Sequence, residues 1–355
     1  MMSNNNVLIT ADLHLYNHKG ETCRAEDGLQ CLEWIYGVAS KNNINKVIIA
    51  GDFVHHRFNL NAYIYSKACK IVANAKTNGI DTIFLVGNHD MYYEDNWELH
   101  SLIPFKKWTT VIDKPETIDI NGISVDFLPY TPTPSKYLNS FNKHNGKSKR
   151  ILISHLAIAD AVLNSRFDIK SVEDDSKEKE VISVSAFKQW DKVWLGHYHY
   201  GQQVSENTEY IGSPMQLSFG EANQEKHVAI FNLETLETKY VVNDVSPRFI
   251  ITSDHEKLLN ENIKNAYIQL TESDASIDSK FELKKQLSNL GVRNVEFIGS
   301  KVDIIQKDTG VALKNIGNLF SDKEKLFDEF LKHINLPENL DIAVVKKLIR
   351  NIINT

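Results

Sequence analysis

The chain has 355 residues, 40 of them Lys or Arg and 46 Asp or Glu, for a net charge of −6 with neutral histidines. That length exceeds what one hydrophobic core usually serves, so one large domain with one or two small ones is expected. The acidic balance argues against a protein that binds nucleic acid over its whole surface, though a local groove or bound cations could still supply a positive field. Hydrophobic residues at 42% and charged residues at 24% are ordinary for a globular chain. No apolar run approaches the ~20 residues that span a bilayer, and Met1–Asn6 lacks the basic-then-apolar pattern of a leader, so no membrane partner is expected. Cys23, Cys31 and Cys69 make neither a metal-type pair nor an even disulfide set, which points to a reducing cytoplasm.

Short β-branched runs alternate with helical stretches through the first ~245 residues. Val7–Thr10 is a predicted strand. Residues 26–40 follow helical spacing, with Leu29, Leu32, Ile35, Tyr36 and Ala39 on one face. Lys46–Ala50 is a buried strand, Ala62–Lys76 a helix ended by Asn78-Gly79, and Thr82–Val86 a further strand. Thr117–Ile120 and Ile123–Leu128 flank an Asn121-Gly122 hairpin turn. Arg150–Ser154, Lys192–Leu195, Glu209–Ile211, His227–Leu233 and Thr238–Val242 complete the strands. Arg166–Glu180 is charged and aperiodic, a solvated excursion. After Pro247, Ala266–Leu270, Ser279–Leu290 and Val292–Ile298 form a β-α-β unit. From Asn318 to Thr355 two amphipathic helices are separated by Asn335-Leu336-Pro337.

Five segments each follow a predicted strand: Asp12-Leu13-His14, Gly51-Asp52, Gly87-Asn88-His89-Asp90, Ser154-His155 and Gly196-His197-Tyr198-His199. Sites in α/β sheets form at the carboxyl ends of strands, so these loops are expected to converge. Carboxylate, imidazole and Asn carbonyl groups suit Mn²⁺, Fe²⁺, Zn²⁺ or Mg²⁺. Seven such ligands oversupply one ion; two divalent ions sharing a carboxylate fit the count and would polarise a phosphoryl oxygen and acidify a water.

The ordered set resembles the calcineurin-like metallophosphoesterase superfamily, whose signature is D-x-H, G-D, G-N-H-[DE], H and G-H-x-H, over residues 12–199. The resemblance implies a four-layer α/β/β/α sandwich. It also implies roles: Asp12, His14 and His199 on one metal, Asn88, His155 and His197 on the other, and Asp52 bridging. His89 would act on the phosphate or leaving oxygen, as suits an imidazole, and Asp90 would orient it.

Gly51-Asp52-Phe53-Val54-His55-His56-Arg57 further resembles the G-D-[LI]-F-[HD]-x-x-[RK] stretch of the SbcD family of double-strand-break repair nuclease subunits, with Phe53 and Val54 as mild departures. His55 falls at the position of a histidine that helps seat the DNA phosphate. Tyr210-Ile211-Gly212-Ser213-Pro214, followed by a stretch ending at Glu221, resembles that family's segment after G-H-x-H. In size, and in Val86–Tyr93, the chain looks most like the compact phage branch of the family. The resemblance implies a nuclease domain over 1–245, a small α+β cap over 248–308 and a helical tail over 318–355 that docks on an SMC-like ABC ATPase. It further implies a DNA substrate and a homodimer through helices at about 61–77 and 96–105, with Tyr63, Ile64, Ile71, Trp97 and Leu102 as apolar candidates; the two divalent ions are expected to be Mn²⁺, with Mg²⁺, Fe²⁺ and Zn²⁺ as alternatives. Lys143, Lys147, Lys149 and Arg150, and Lys106 with Lys107, are candidate phosphate contacts. Two other readings stand beside this one: a small-substrate phosphatase or phosphodiesterase of the same superfamily, which needs neither cap nor tail, and a non-catalytic scaffold for an ATPase, which needs no intact ligand set.

Overall fold

A computed structural model describes residues 5–16, 18, 22–94, 96–141, 149–161, 180–271 and 277–298. The chain divides into two units, Met1–Ile298 and Gly299–Thr355, and the described residues all belong to the first. The expected tail at 318–355, and all of the 166–180 excursion but its last residue, lie outside the described residues.

In chain order the elements begin β1 (Asn6–Thr10), α1 (Thr22–Lys41), β2 (Lys46–Ala50), α2 (Ala62–Thr77), β3 (Asp81–Leu85), β4 (Met91–Tyr93), β5 (Asn96–His100) and β6 (Thr110–Ile112). Next come β7 (Glu116–Ile120), β8 (Ile123–Leu128), α3 (Pro134–Leu138), β9 (Ile151–His155), β10 (Lys192–Gly196), β11 (Gln202–Gln203), β12 (Thr208–Tyr210), β13 (His227–Asn232) and β14 (Thr238–Val242). The described part closes with β15 (Phe249–Thr252), α4 (His255–Leu259), β16 (Tyr267–Leu270), α5 (Ile277–Asn289) and β17 (Asn294–Phe297).

Two six-stranded sheets, in the orders β14-β13-β1-β2-β3-β6 and β11-β12-β10-β9-β8-β7, form the body of the fold. In the first, β1, β2, β3 and β6 run parallel, β13 is antiparallel to β1, and β14, antiparallel to β13, returns to the direction of β1. In the second, β8, β9, β10 and β12 are parallel and β7 and β11 antiparallel. Side chains alternate faces along a strand, and here both faces are apolar because both are covered. Val7, Ile9, Ile48, Ala50, Ile151 and Ile153 fill the space between the sheets with Trp194 and Phe127. Leu8, Val47 and Ile49 face the other way, onto Leu29, Leu32 and Ile35 of α1 and Ile64, Ala68 and Val72 of α2. Leu152, Val193 and Leu195 pack outward on Leu138, Phe187 and Trp190. The architecture is thus the expected α/β sandwich, with the fourth layer formed among the described residues by α3 and short turns.

β15, β16 and β17 make a separate parallel sheet carrying α4 and α5. β16, α5 and β17 follow the predicted β-α-β unit; β15, hidden just after Pro247, adds a third strand. The sheet is seated on α1: the Arg293 guanidinium donates to Asp27, whose other oxygen accepts from the Tyr267 hydroxyl at 3.3 Å. The Arg24 guanidinium lies 5.0 Å from the Phe249 ring centre and 5.2 Å from that of Tyr267, a cation–π contact.

One expected element is corrected. Residues 96–105 form no α-helix: β5 pairs with β4 as a hairpin, Met91 opposite His100 and Tyr93 opposite Asn96, and only Ile103–Lys107 turns, as a short 3-10 helix. Pro104 has no N–H to donate into a preceding helical turn, and His100 is drawn inward, Nδ1 accepting from Leu102 N–H and Nε2 lying 3.4 Å from Asp113. Among the apolar candidates for an interface, Ile64 and Leu102 are buried in the core, whereas Tyr63 is exposed.

Candidate metal centre

Every motif lies just past the carboxyl end of a parallel strand: Asp12 and His14 after β1, Asp52 after β2, Asn88 after β3, His155 closing β9, and His197 and His199 after β10. The turns are tight. Asp12, His14, Asp52 and His197 have φ of 55°, 48°, 52° and 101°, a region that costs an L-residue on the order of 1–2 kcal/mol. Hydrogen bonds between the loops hold them there. Asp12 N–H donates to the Gly51 carbonyl and His14 N–H to that of Asp52, both at 3.0 Å. His197 N–H donates to both oxygens of Asp12 at 3.1 Å.

Two donor groups that include a carboxylate result, Asp12–His14–His199 and Asp52–His155–His197, each with its ligand atoms within 4.8 Å of one another; an all-histidine group, His14–His55–His89, meets the same measure and shares His14 with the first. In the second, Asn88 Oδ1 lies 3.1 Å from both His155 Nε2 and His197 Nδ1. Asp52 Oδ2 stands between the groups, 3.5 Å from His14 Nε2 and 3.3 Å from His155 Nε2.

The donor set fits divalent ions on its own chemistry. A carbonyl oxygen only accepts. His155 Nδ1 must therefore donate to the Ala50 carbonyl, 2.8 Å away, which in the neutral imidazole turns the lone pair of Nε2 toward two further acceptors, Asn88 Oδ1 and Asp52 Oδ2. His199 Nδ1 donates to Glu221 at 2.8 Å, so its Nε2 lone pair faces His14 Nε2 at 3.0 Å. Acceptors aimed at one another in a buried place call for a cation, either a proton on Nε2 or a metal ion that replaces it. Ligands about 2.1 Å from one ion and at right angles stand about 3.0 Å apart, close to the separations seen.

Titration reflects the same crowding. Burial opposes a charge on His155, but the Asp52 carboxylate overrides it and pushes the imidazole up to about 9. His199 is raised, Glu221 outweighing burial. Burial drives His14 well below the ordinary range despite Asp52. Asp12 is raised by burial, whereas His155 and His89 hold Asp52 well below the usual carboxylate range against the effect of burial.

His89 sits beside both groups. Its N–H donates to Asp52 Oδ1 at 2.9 Å and its Nδ1 to the His55 carbonyl at 2.7 Å, leaving Nε2 free to act. The His55 ring stacks on His89 with 10° between planes, and its Nδ1 is 3.3 Å from His14 Nδ1. Burial, then His89, pushes the His55 imidazole down to about 3.

Asp90 departs from its expected role. The partner that orients the His89 ring is the His55 carbonyl. The Asp90 carboxylate turns inward to accept N–H groups from Gly87 at 3.0 Å, Phe53 at 3.1 Å and Val54 at 3.2 Å, with the Ser101 hydroxyl at 3.4 Å. It pins the Asp52 loop to the Asn88 loop. Asp90→Ala would leave several buried donors unsatisfied at about 1–3 kcal/mol each, so a loss of about 3 kcal/mol or more is expected in urea denaturation. A midpoint equal to that of the parent would remove this role.

The basic candidates divide. Arg150 is buried, with Nε donating to Asp126 at 3.0 Å and its guanidinium 4.7 Å from the Trp190 ring centre, so it is a structural residue and not a phosphate contact. Lys106 donates to Asp113 at 2.5 Å, and Lys107 lies over Trp108. Lys143 and Lys147 lie outside the described residues. Glu221 and Lys226, which the sequence reading passed over as site residues, are buried beside His199. The resemblance of the stretch ending at Glu221 to the family's segment after G-H-x-H was the available signal.

The chain belongs to the calcineurin-like phosphoesterase family, whose model matches residues 6–227; membership implies a metal-dependent phosphoesterase using divalent ions. It is 23% identical over 339 residues to exonuclease subunit 1 of Enterobacteria phage T4, covering 81% of this chain and 94% of that protein. It is 25% identical over 298 residues to the SbcD component of nuclease SbcCD from Staphylococcus epidermidis, covering 72% of this chain and 78% of that one. Among solved structures, a dimetal phosphatase from Danio rerio matches with a TM-score of 0.41 at 11% identity, over 67% of this chain and 98% of that chain. Among the described residues no helix is long and apolar enough to cross a membrane.

Proposed function

We propose that this chain is a two-metal DNA nuclease, exonuclease or endonuclease, and the catalytic subunit of a recombination and repair complex with an SMC-like ABC ATPase. The observation that carries the phosphodiesterase chemistry is the position of Asp52 Oδ2 between two donor groups. DNA as substrate is supported by the relatives named as nuclease subunits, the first of them aligned over 81% of this chain.

In this reading Asp12, His14 and His199 hold one ion, Asn88, His155 and His197 the other, and Asp52 both. Mn²⁺ suits this mixture of carboxylate, imidazole and amide; Mg²⁺, Fe²⁺ and Zn²⁺ are compatible. Bound divalent ions supply charge for the phosphate and acidify the attacking water. The chain's own groups do the rest. His89, fixed through Nδ1, presents Nε2 to the leaving oxygen and, as the imidazolium, gives it the Nε2 proton, ending as the neutral ring with Nδ1–H still on the His55 carbonyl. His55, stacked on His89, lines the phosphate seat. The burial of Asp12 and Asp52 keeps bulk water off the ligand oxygens. The tail at 318–355 would dock the ATPase, and a second copy would pair through the surface around α2; the DNA substrate and the ATPase place the complex in the cytoplasm.

The test is incubation of the purified chain and Mn²⁺ with end-labelled linear duplex DNA and with bis(p-nitrophenyl) phosphate. Both should be hydrolysed, and chelator should stop both. Cleavage of the ester with DNA left intact, alone and with the ATPase, would move the chain to the small-substrate branch of its family.

A further inference from the structure

His199 is held from several sides by one segment. Its Nδ1 donates to Glu221 Oε1 at 2.8 Å. Its carbonyl accepts from Ser213 N–H at 3.1 Å and from Lys226 Nζ at 2.8 Å. Gly212, at φ +73°, presses so closely on the 199–201 main chain that a Cβ there would overlap it, which only glycine tolerates. Glu221 is 1% exposed. Its second oxygen accepts from Lys226 Nζ at 2.8 Å, Ser213 Oγ at 3.1 Å and Leu217 N–H at 3.2 Å. The carboxylate is therefore immobile, and it pins the imidazole by the nitrogen that points away from the cluster.

We infer that Glu221 is a positioning residue for the metal centre: through His199 Nδ1 it fixes the ring and its tautomer so that Nε2 is presented beside His14 Nε2. A histidine that offers one nitrogen to a cation must carry its proton on the other, and a carboxylate partner enforces that choice and strengthens the donor nitrogen. Two other histidines of the groups are oriented by neutral partners at the same ring position: His155 Nδ1 by the Ala50 carbonyl and His14 Nδ1 by the ring of His55.

The segment reaches further. Phe219 packs edge-on against Phe249 of β15 at 4.9 Å between ring centres, Asn223 N–H donates to the Phe249 carbonyl at 3.2 Å, and Phe249 N–H donates to Gln216 Oε1 at 2.5 Å. Arg24 joins them, donating to the Leu217 carbonyl at 2.8 Å. Glu221 thus stands on the structure that seats the three-stranded sheet.

The inference rests on the two-metal reading above, and the measurement separates the two. Mn²⁺ binding would be followed calorimetrically in the full chain for the parent, Glu221→Gln, His199→Gln and the double variant. The parent should bind two ions. Glu221→Gln keeps the shape but removes the charge, and one of the two affinities should fall about 10–100-fold. Because it acts through His199, the double variant should bind no more weakly than His199→Gln alone. Should Glu221→Gln not fold, Glu221→Asp, which keeps the charge but withdraws it from the ring, should weaken the same ion. Parental affinities in the Glu221 variants, or a loss that adds fully to that of His199→Gln, would overturn the positioning role while leaving the metal reading intact. Fewer than two ions in the parent would remove both.

Discussion

Asp52→Asn is expected to lower Mn²⁺-dependent hydrolysis of bis(p-nitrophenyl) phosphate by on the order of 10³-fold, the scale on which one preorganised electrostatic group acts. Asn keeps Oδ1, the acceptor of the His89 N–H, so the Asn88–His89 loop keeps its anchor. What changes is Oδ2, the atom between His14 Nε2 and His155 Nε2. An amide nitrogen there carries two hydrogens and no lone pair for a cation. Each donor group would lose its shared member at once, which is why the effect should exceed that of removing a ligand from one group. The far-ultraviolet circular dichroism should match the parent. Activity within tenfold of the parent would show that Asp52 is not the shared ligand.

Gly51→Ala should destabilise the fold by about 4 kcal/mol or more, at the upper end for single substitutions. Gly51 has φ +95°, and a Cβ built there falls inside the His155 imidazole. Neither neighbour can yield. The His155 ring is buried and tied to the Ala50 carbonyl, and the Gly51 carbonyl accepts from Asp12 N–H. Moving either would open the joint between the two sheets beside the site. Urea denaturation in chelator checks this without reference to metal. A midpoint near that of the parent would show that the β2–Asp52 turn has room the geometry does not reveal.

The sequence exposed the centre because its chemistry restricts residue types: few side chains can donate lone pairs to divalent ions, and all of these follow predicted strands. The strands and helices of the body were legible for a similar reason, since each buried face imposes its own period, as at Leu29, Leu32 and Ile35 along α1. Properties set by distant partners were not legible. Arg150 reads as one charge in a basic run, and only Asp126 and Trp190, far along the chain, make it a core residue. The resemblance implies a helix at about 96–105, and only β4, outside that stretch, makes its first half a strand by pairing with β5. Asp90 follows His89 directly, yet its partners lie on the Asp52 loop. Glu221 ends a family-like stretch 22 positions past His199, but nothing in that stretch names the imidazole as its partner.

Asp12, His14 and Asp52 hang from the first sheet, and His155, His197 and His199 from the second, so each of these two donor groups draws members from both. Neither sheet alone assembles either of the two carboxylate-containing groups. A nascent chain still lacking β10, or one whose two sheets have formed but not closed on each other, has neither carboxylate-containing group complete and cannot hydrolyse a phosphodiester. Hydrolytic competence thus reports completed tertiary closure rather than secondary structure. In a gradual melt, ester hydrolysis should disappear with sheet docking, ahead of any loss of helix in α1 and α2.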